Sequence, residues 1–205
     1  MVGESLSQTK LVRDQFQLDY LVGSVHHVNG IPIDFSPELF DRALANLGGD
    51  LESLFCAYFD LQYDMLQAVR PNVVGHFDLI RLFRPSSTWS AKVLQKIERN
   101  AKFVAEIGAL VELNSSGLRK GLPGPYPMAD TLAVLMRSNC RFTLSDDSHR
   151  VEHVAVKYRE LRDYLREHGV NTVYALRRSR DGQGLQLAQY DDITNHAFWD
   201  ALPKA

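Results

Sequence analysis

Short apolar runs rich in β-branched residues alternate with longer segments of helical period along this chain, and that alternation constrains the fold more than any other feature. The runs cover residues 19–28, 73–80, 109–114 and 141–145. Each is bounded by glycine, proline or polar residues and reads as a buried strand. Between them lie helical patterns. One spans residues 38–47, behind Ser36 and Pro37 as N-cap and first-turn pair and closed by Gly48-Gly49. Another runs from Asp50 to Pro71, and others cover residues 89–106, 128–138 and 152–166, the last closed by Gly169. Residues 115–127 read as a Gly/Pro-rich loop, 170–176 as a final strand and 177–184 as a polar turn. Phe198 and Trp199 are placed to dock a tail of little other signal. Strands separated by helices of this length predict an α/β fold with a parallel sheet. Four clear strands are too few to close an eight-stranded barrel, so the sheet is open or belongs to something larger. No linker or internal repeat divides the chain, and residues 1–205 read as one domain.

Composition narrows the function. A net charge of -2 gives no broad electrostatic footprint for nucleic acid. No run of about 18 apolar residues is present to span a membrane. Residues 1–17 carry neither an apolar signal core nor an Arg-rich amphipathic pattern. Cys56 and Cys140 lie in apolar helical-period segments, as buried thiols of a reducing compartment do. The expectation is a cytosolic protein.

Chemistry gathers where the strands end. The first ends at His26, the second at His76, the third at Glu112 or Asn114, and the fourth at Asp147 with His149. In parallel α/β folds these carboxyl ends open onto one face. Imidazoles and a carboxylate converging there form a nitrogen and oxygen donor set suited to Zn, Mn or Fe. Asp147 and His149 are two apart and share a face if the strand continues. His27 should point away from His26, while His153, His168 and His196 fall on helix or tail patterns and read as solvated. Asp146 reads as a residue that orients its neighbours. The loop from Asn114 to Gly121 sets Arg119 and Lys120 among small residues, a composition able to receive a phosphate. Nucleotide-binding glycine motifs and a serine-hydrolase elbow are absent.

Four ordered motifs resemble one family. Tyr20-Leu-Val-Gly-Ser-Val-His-His-Val-Asn-Gly-Ile-Pro-Ile-Asp34, Val73-Val-Gly-His-Phe-Asp-Leu79, Glu112-Leu-Asn-Ser-Ser-Gly-Leu-Arg-Lys120 with Tyr126-Pro127, and Phe142-Thr-Leu-Ser-Asp-Asp-Ser-His149 are similar to successive strand motifs of PHP-type histidinol phosphatases, particularly the fungal branch. The resemblance implies a distorted seven-stranded TIM-like barrel, of which this chain would hold about the last four strands. It implies up to three divalent metals, and hydrolysis of L-histidinol phosphate to L-histidinol and phosphate in histidine biosynthesis. By resemblance His26 and His76 would share one metal, Asp147 would bind a second and His149 a third, with Arg119 at the substrate phosphate. Ligation requires neutral imidazoles, so activity should fall at acid pH.

The family's opening His-x-His strand and its bridging Glu have no counterpart before Tyr20, so the domain is expected to be N-terminally truncated and to hold fewer metals. Two other readings stand beside the enzyme: an inactive remnant of the fold, and a PHP phosphoesterase acting on another small phosphate ester. An open half-barrel would also expose strand edges, through which copies could self-associate.

Overall fold

A side-chain oxygen at a helix N-cap accepts a backbone N–H that the first turn would otherwise leave unpaired, and three helices here begin that way. In the computed structural model, which describes residues 2–16, 18–179 and 184–202, α1 (Val2–Gln15) comes first. Ser36 accepts from Leu39 at the head of α2 (Pro37–Asn46), with Pro37 in its first turn. Asp50 accepts from Glu52 and Ser53 to open α3 (Leu51–Val69), which Arg70 closes in the left-handed conformation. Ser90 accepts from Val93 at the start of α4 (Ala91–Glu106). These starts agree with the sequence reading.

The strands within residues 19–28 and 73–80 are much shorter than the apolar runs that contain them, while those within 109–114 and 141–145 fill theirs almost completely. β1 is only Val22–Gly23, because positive φ at Asn29 and Gly30 turns the chain back and pairs β2 (His27–Val28) with β3 (Ile31–Pro32). His26 therefore lies between strands and not at the end of one. β4 (Val73–Val74), β5 (Leu110–Asn114) and β6 (Arg141–Ser145) complete a four-stranded parallel sheet in the order β1-β4-β5-β6. The loop read over residues 115–127 contains one helical turn, α5 (Ser116–Arg119), before α6 (Ala129–Arg137).

The long helix expected over residues 152–166 is broken. A 3-10 turn covers Val151–His153, and α7 (Tyr158–Glu167) starts only after left-handed Ala155 and Lys157. The expected last strand is β7 (Val173–Arg178), but it pairs antiparallel with β8 (Leu185–Tyr190) in a separate ribbon. The central part of the expected turn, residues 180–183, lies outside the described residues. Trp199 is buried, whereas its neighbour Phe198 stays partly exposed. Both cysteines are buried and unpaired. No helix among the described residues is long and apolar enough to cross a membrane.

α3 and α4 pack side by side against the sheet, and α4 also meets α6. Phe59 sits at their centre, with ring centroids 5.1 Å from Tyr58, 5.6 Å from Trp89 and 6.0 Å from Phe77. A buried polar chain crosses the same layer. Asn100 Nδ2 donates to Phe59 O and Gln62 Oε1, and Gln62 Nε2 donates to Phe77 O at 2.9 Å. Tyr58 donates to that same carbonyl, so the residue after His76 is held from α3. Phe59→Ala should lower unfolding free energy by about 3–5 kcal/mol. Phe35→Ala, at an exposed position, should change it by less than about 0.5 kcal/mol. Urea denaturation of the two variants checks both values.

Candidate metal and phosphate site

Parallel pairing sends the carboxyl ends of all four strands to one face, and β1 and β4 run close together there. A Cβ on Gly75 would fall 2.5 Å from Ser24 Oγ, so a larger residue there would have to push the serine side chain aside. The next residue, His76, is buried and has φ +23°, in the left-handed region. Its backbone N–H donates to Glu112 Oε2 at 2.7 Å. Its ring meets His26 edge to face, with centroids 4.9 Å apart, and also faces Tyr126. His76 Nδ1 is buried with no hydrogen-bond partner among the described residues. Burial holds the His76 pKa below its ordinary value and the neighbouring His26 adds to that, while Glu112 and Asp147 act the other way. A neutral imidazole with an unused nitrogen is the form that a metal ligand needs.

His26 is more open, and its orientation comes from behind. Nδ1 lies 2.8 Å from Asp34 Oδ2 on the far side of the β2–β3 hairpin. Burial alone would raise the Asp34 pKa, but the hydrogen bond from His26 and the charges of His26, His76 and Lys120 outweigh it and hold it low. An ionised Asp34 keeps the His26 proton on Nδ1 and leaves Nε2 as the donor atom, the arrangement by which carboxylates orient metal-binding imidazoles. Asp34 was quoted in the first motif, but nothing in its spacing marked it as the partner of His26.

The loop after β6 brings Asp147 near His76, though not by continuing the strand. β6 ends at Ser145, and Asp147 has φ +49°. His149 points outward, 74% exposed, with Nδ1 2.8 Å from the Asp147 carbonyl. Asp146 orients the loop, as its position suggested: Oδ1 accepts from Ser148 and Oδ2 from Ala155 N–H at 2.6 Å. Arg119 reaches the same loop. Its Nη2 donates to the carbonyls of Asp146 and Asp147 at 3.2 and 3.0 Å. Among the described residues its other guanidinium nitrogens have no acceptor. Lys120 lies over the Tyr126 ring.

Buried polar atoms without partners among the described residues gather near these strand ends: besides His76 Nδ1 they include Ser116 Oγ, Tyr126 Oη and Asp78 Oδ1. Burial pushes Asp78 up to about 6, against a hydrogen bond from Met128 and the charge of Arg81. His153, expected in solvent, has a buried Nδ1, while the His168 ring lies tilted against Tyr164 and His196 caps the final 3-10 turn.

The structure thus brings His26 against His76 and sets Asp147 within electrostatic reach of His76, while His149 is exposed and lies against the Asp147 carbonyl. Among the described residues no three His, Cys, Asp or Glu side chains converge closely enough to hold one metal ion. The donors nevertheless fit a divalent metal in kind. The His26–His76 pair offers an orphaned buried nitrogen and an imidazole oriented by a carboxylate.

A model of the PHP domain family matches residues 3–116, more than half of the chain. The chain belongs to the PHP domain family. It is 41% identical over 186 residues to the Schizosaccharomyces pombe protein named "Probable histidinol-phosphatase", covering 88% of this chain and 61% of that one. It is 38% identical over 175 residues to the Saccharomyces cerevisiae "Histidinol-phosphatase", covering 72% and 52%. The chain therefore spans a little over half the length of these curated relatives. A crystal structure from Listeria monocytogenes, provisionally assigned as a histidinol phosphatase, superposes with a TM-score of 0.67 at 23% identity. It covers 76% of this chain and 63% of that one, and it supports the fold.

In this PHP chain Arg119 is a structural clamp on the Asp147 loop before any ligand arrives. Arg119→Ala removes two charge-assisted hydrogen bonds from that loop. The Ala155 amide should then exchange at least about tenfold faster, with amides of α3 unchanged. Hydrogen–deuterium exchange read by NMR checks this.

Proposed function

We propose that this chain carries the catalytic face of a metal-dependent histidinol-phosphatase, hydrolysing L-histidinol phosphate to L-histidinol and phosphate in cytosolic histidine biosynthesis. The observation that carries the reading is the paired His26 and His76 with Asp34 behind one and an unused buried nitrogen on the other. The names of the two fungal relatives support the substrate. On this reading the four-stranded sheet is a segment of a distorted PHP-type barrel, and residues 1–205 form one domain.

His26 and His76 would hold a divalent Zn, Mn or Fe ion, with Asp147 and His149 drawn in from the adjoining loop. Such an ion supplies Lewis acidity toward a phosphoryl oxygen and lowers the pKa of water. Asp34 keeps the His26 tautomer fixed. Arg119 already faces this rim, and its unengaged nitrogens together with Lys120 can receive the charge of a phosphate monoester. A small ester suits the near-neutral net charge better than nucleic acid does.

The test is metal content and phosphatase activity of the purified 205-residue chain supplied with Mn, Zn or Fe and histidinol phosphate. Bound metal with turnover, abolished by His76→Ala and by chelation, is the expected result. Soluble chain with neither metal nor turnover would make it an inactive remnant of the fold. Turnover of other small esters with histidinol phosphate untouched would move the substrate.

Self-association goes with the same reading. β1 is an edge strand whose Val22 is largely exposed, and Leu11, Val12, Phe16, Leu18 and Tyr20, earlier in the chain, also leave a large share of their surface exposed. Light scattering should give a mass above the 23.2 kDa of one chain. Val22→Lys should return it toward that value.

A further inference from the structure

We propose that Glu112 is a positioning residue of this site, whose carboxylate fixes the backbone turn at His76 and so aims the imidazole. Glu112 lies in the middle of β5, where all five residues are buried. A carboxylate at such a place is costly unless it is fully used, and a packed apolar side chain would serve the sheet better. Its Oε2 has two donors, the His76 backbone N–H at 2.7 Å and Asn114 Nδ2 at 2.9 Å. Asn114 in turn accepts Ser116 N–H on Oδ1, at the start of the turn that carries Arg119.

One oxygen therefore joins the imidazole side of the site to its cationic side. The demand for it is visible in the backbone. His76 has φ +23°, which a side-chain-bearing residue keeps only when its surroundings fix it. The position of a Cβ on the preceding Gly75 would be 3.5 Å from Glu112 Oε2, so no neighbour separates the carboxylate from the turn. Residue 76 thereby leaves the sheet with its ring against His26 and with Nδ1 unused. The proposal rests on His76 being a ligand in the function proposed above, but its geometric content can be read without substrate.

Glu112→Gln and Glu112→Leu test it, the second filling the same space with apolar atoms. In the metal-free chain, NMR should show the His76 amide proton moving upfield and losing exchange protection, and the His76 imidazole carbon signals moving with it. Signals of α4 and α6 should stay in place. Calorimetric titration with Mn2+ alone should show affinity reduced by about tenfold or more in both variants.

Wild-type His76 signals in Glu112→Gln and Glu112→Leu, or His76 signals that move with Mn2+ affinity unchanged, would overturn the proposal. So would a Glu112→Gln variant of wild-type behaviour beside a Glu112→Leu variant that loses signal dispersion throughout. A wild-type chain that binds Mn2+ yet leaves histidinol phosphate intact would sink the substrate reading and leave this test standing. If the wild-type chain binds no Mn2+, the NMR signals alone decide.

Discussion

β4 pairs with each neighbour through only two residues, and the chain leaves it at Gly75 so close to Ser24 that a Cβ there would fall 2.5 Å from its Oγ. The functional face depends on that pinch. Because β1 and β4 approach so closely there, His26 and His76 meet even though 49 residues and two helices intervene. The pinch itself needs support on both sides. From the helical layer, Tyr58 and Gln62 hold the Phe77 carbonyl, and Asn100 holds Gln62 in turn. From the next strand, Glu112 takes the His76 amide. Packing of α3 on α4 is thus also positioning of the site, since the same side chains serve both.

Charge is distributed to match. Burial disfavours a protonated His76, and Asp34 stays ionised against its own burial because His26 and Lys120 face it. Carboxylates stand behind the imidazoles, and Arg119 and Lys120 stand at the rim. On the proposed reading a cation would sit toward the histidines and an anion toward the loop after β5. These two preferences meet across one rim, where a metal and a phosphate ester would be neighbours.

Much of this was legible in the sequence, and the illegible parts share a cause. Ser36 and Asp50 marked helix starts correctly because capping is local chemistry. His26 and His76 could be paired because parallel topology sends strand ends to one face. The first run misled, since apolar content shows burial but not pairing: Asn29-Gly30 turned its last two residues into one arm of a hairpin. Residues 152–166 misled in a similar way. Their apolar period is real, but Asp146 binds the Ala155 amide from nine residues away and holds a break that no periodicity records. Arg119 read as a phosphate ligand from its loop's composition and from the family resemblance, and its grip on two carbonyls is a further, tertiary fact. Asp34 and Glu112 were both quoted in motifs. Their partners lie across a hairpin and on a neighbouring strand, at spacings that one chain read in order does not reveal.

The two histidines differ in surroundings, and the difference gives the site a direction. His76 is closed in by β5, Tyr126 and the Asp147 loop, whereas His26 faces a cleft of about 430 Å³ bordered by Ser5, Leu6 and Gln8 of α1 and by Leu61 and Met65 of α3. Space of that size suits a small ligand. The closed side has the rigid donors and the fixed carboxylates, while the open side has an edge strand, exposed apolar residues and a helix of weak amphipathic character. A site built in this way sets its geometry from β4 and β5 and leaves access, and any added donor, to the β1 side. The His26–Asp34 pair stands at that boundary, so its orientation must come from the β2–β3 hairpin and not from the sheet. That is why the short return at Asn29–Gly30, which shortened the first strand, also makes His26 usable.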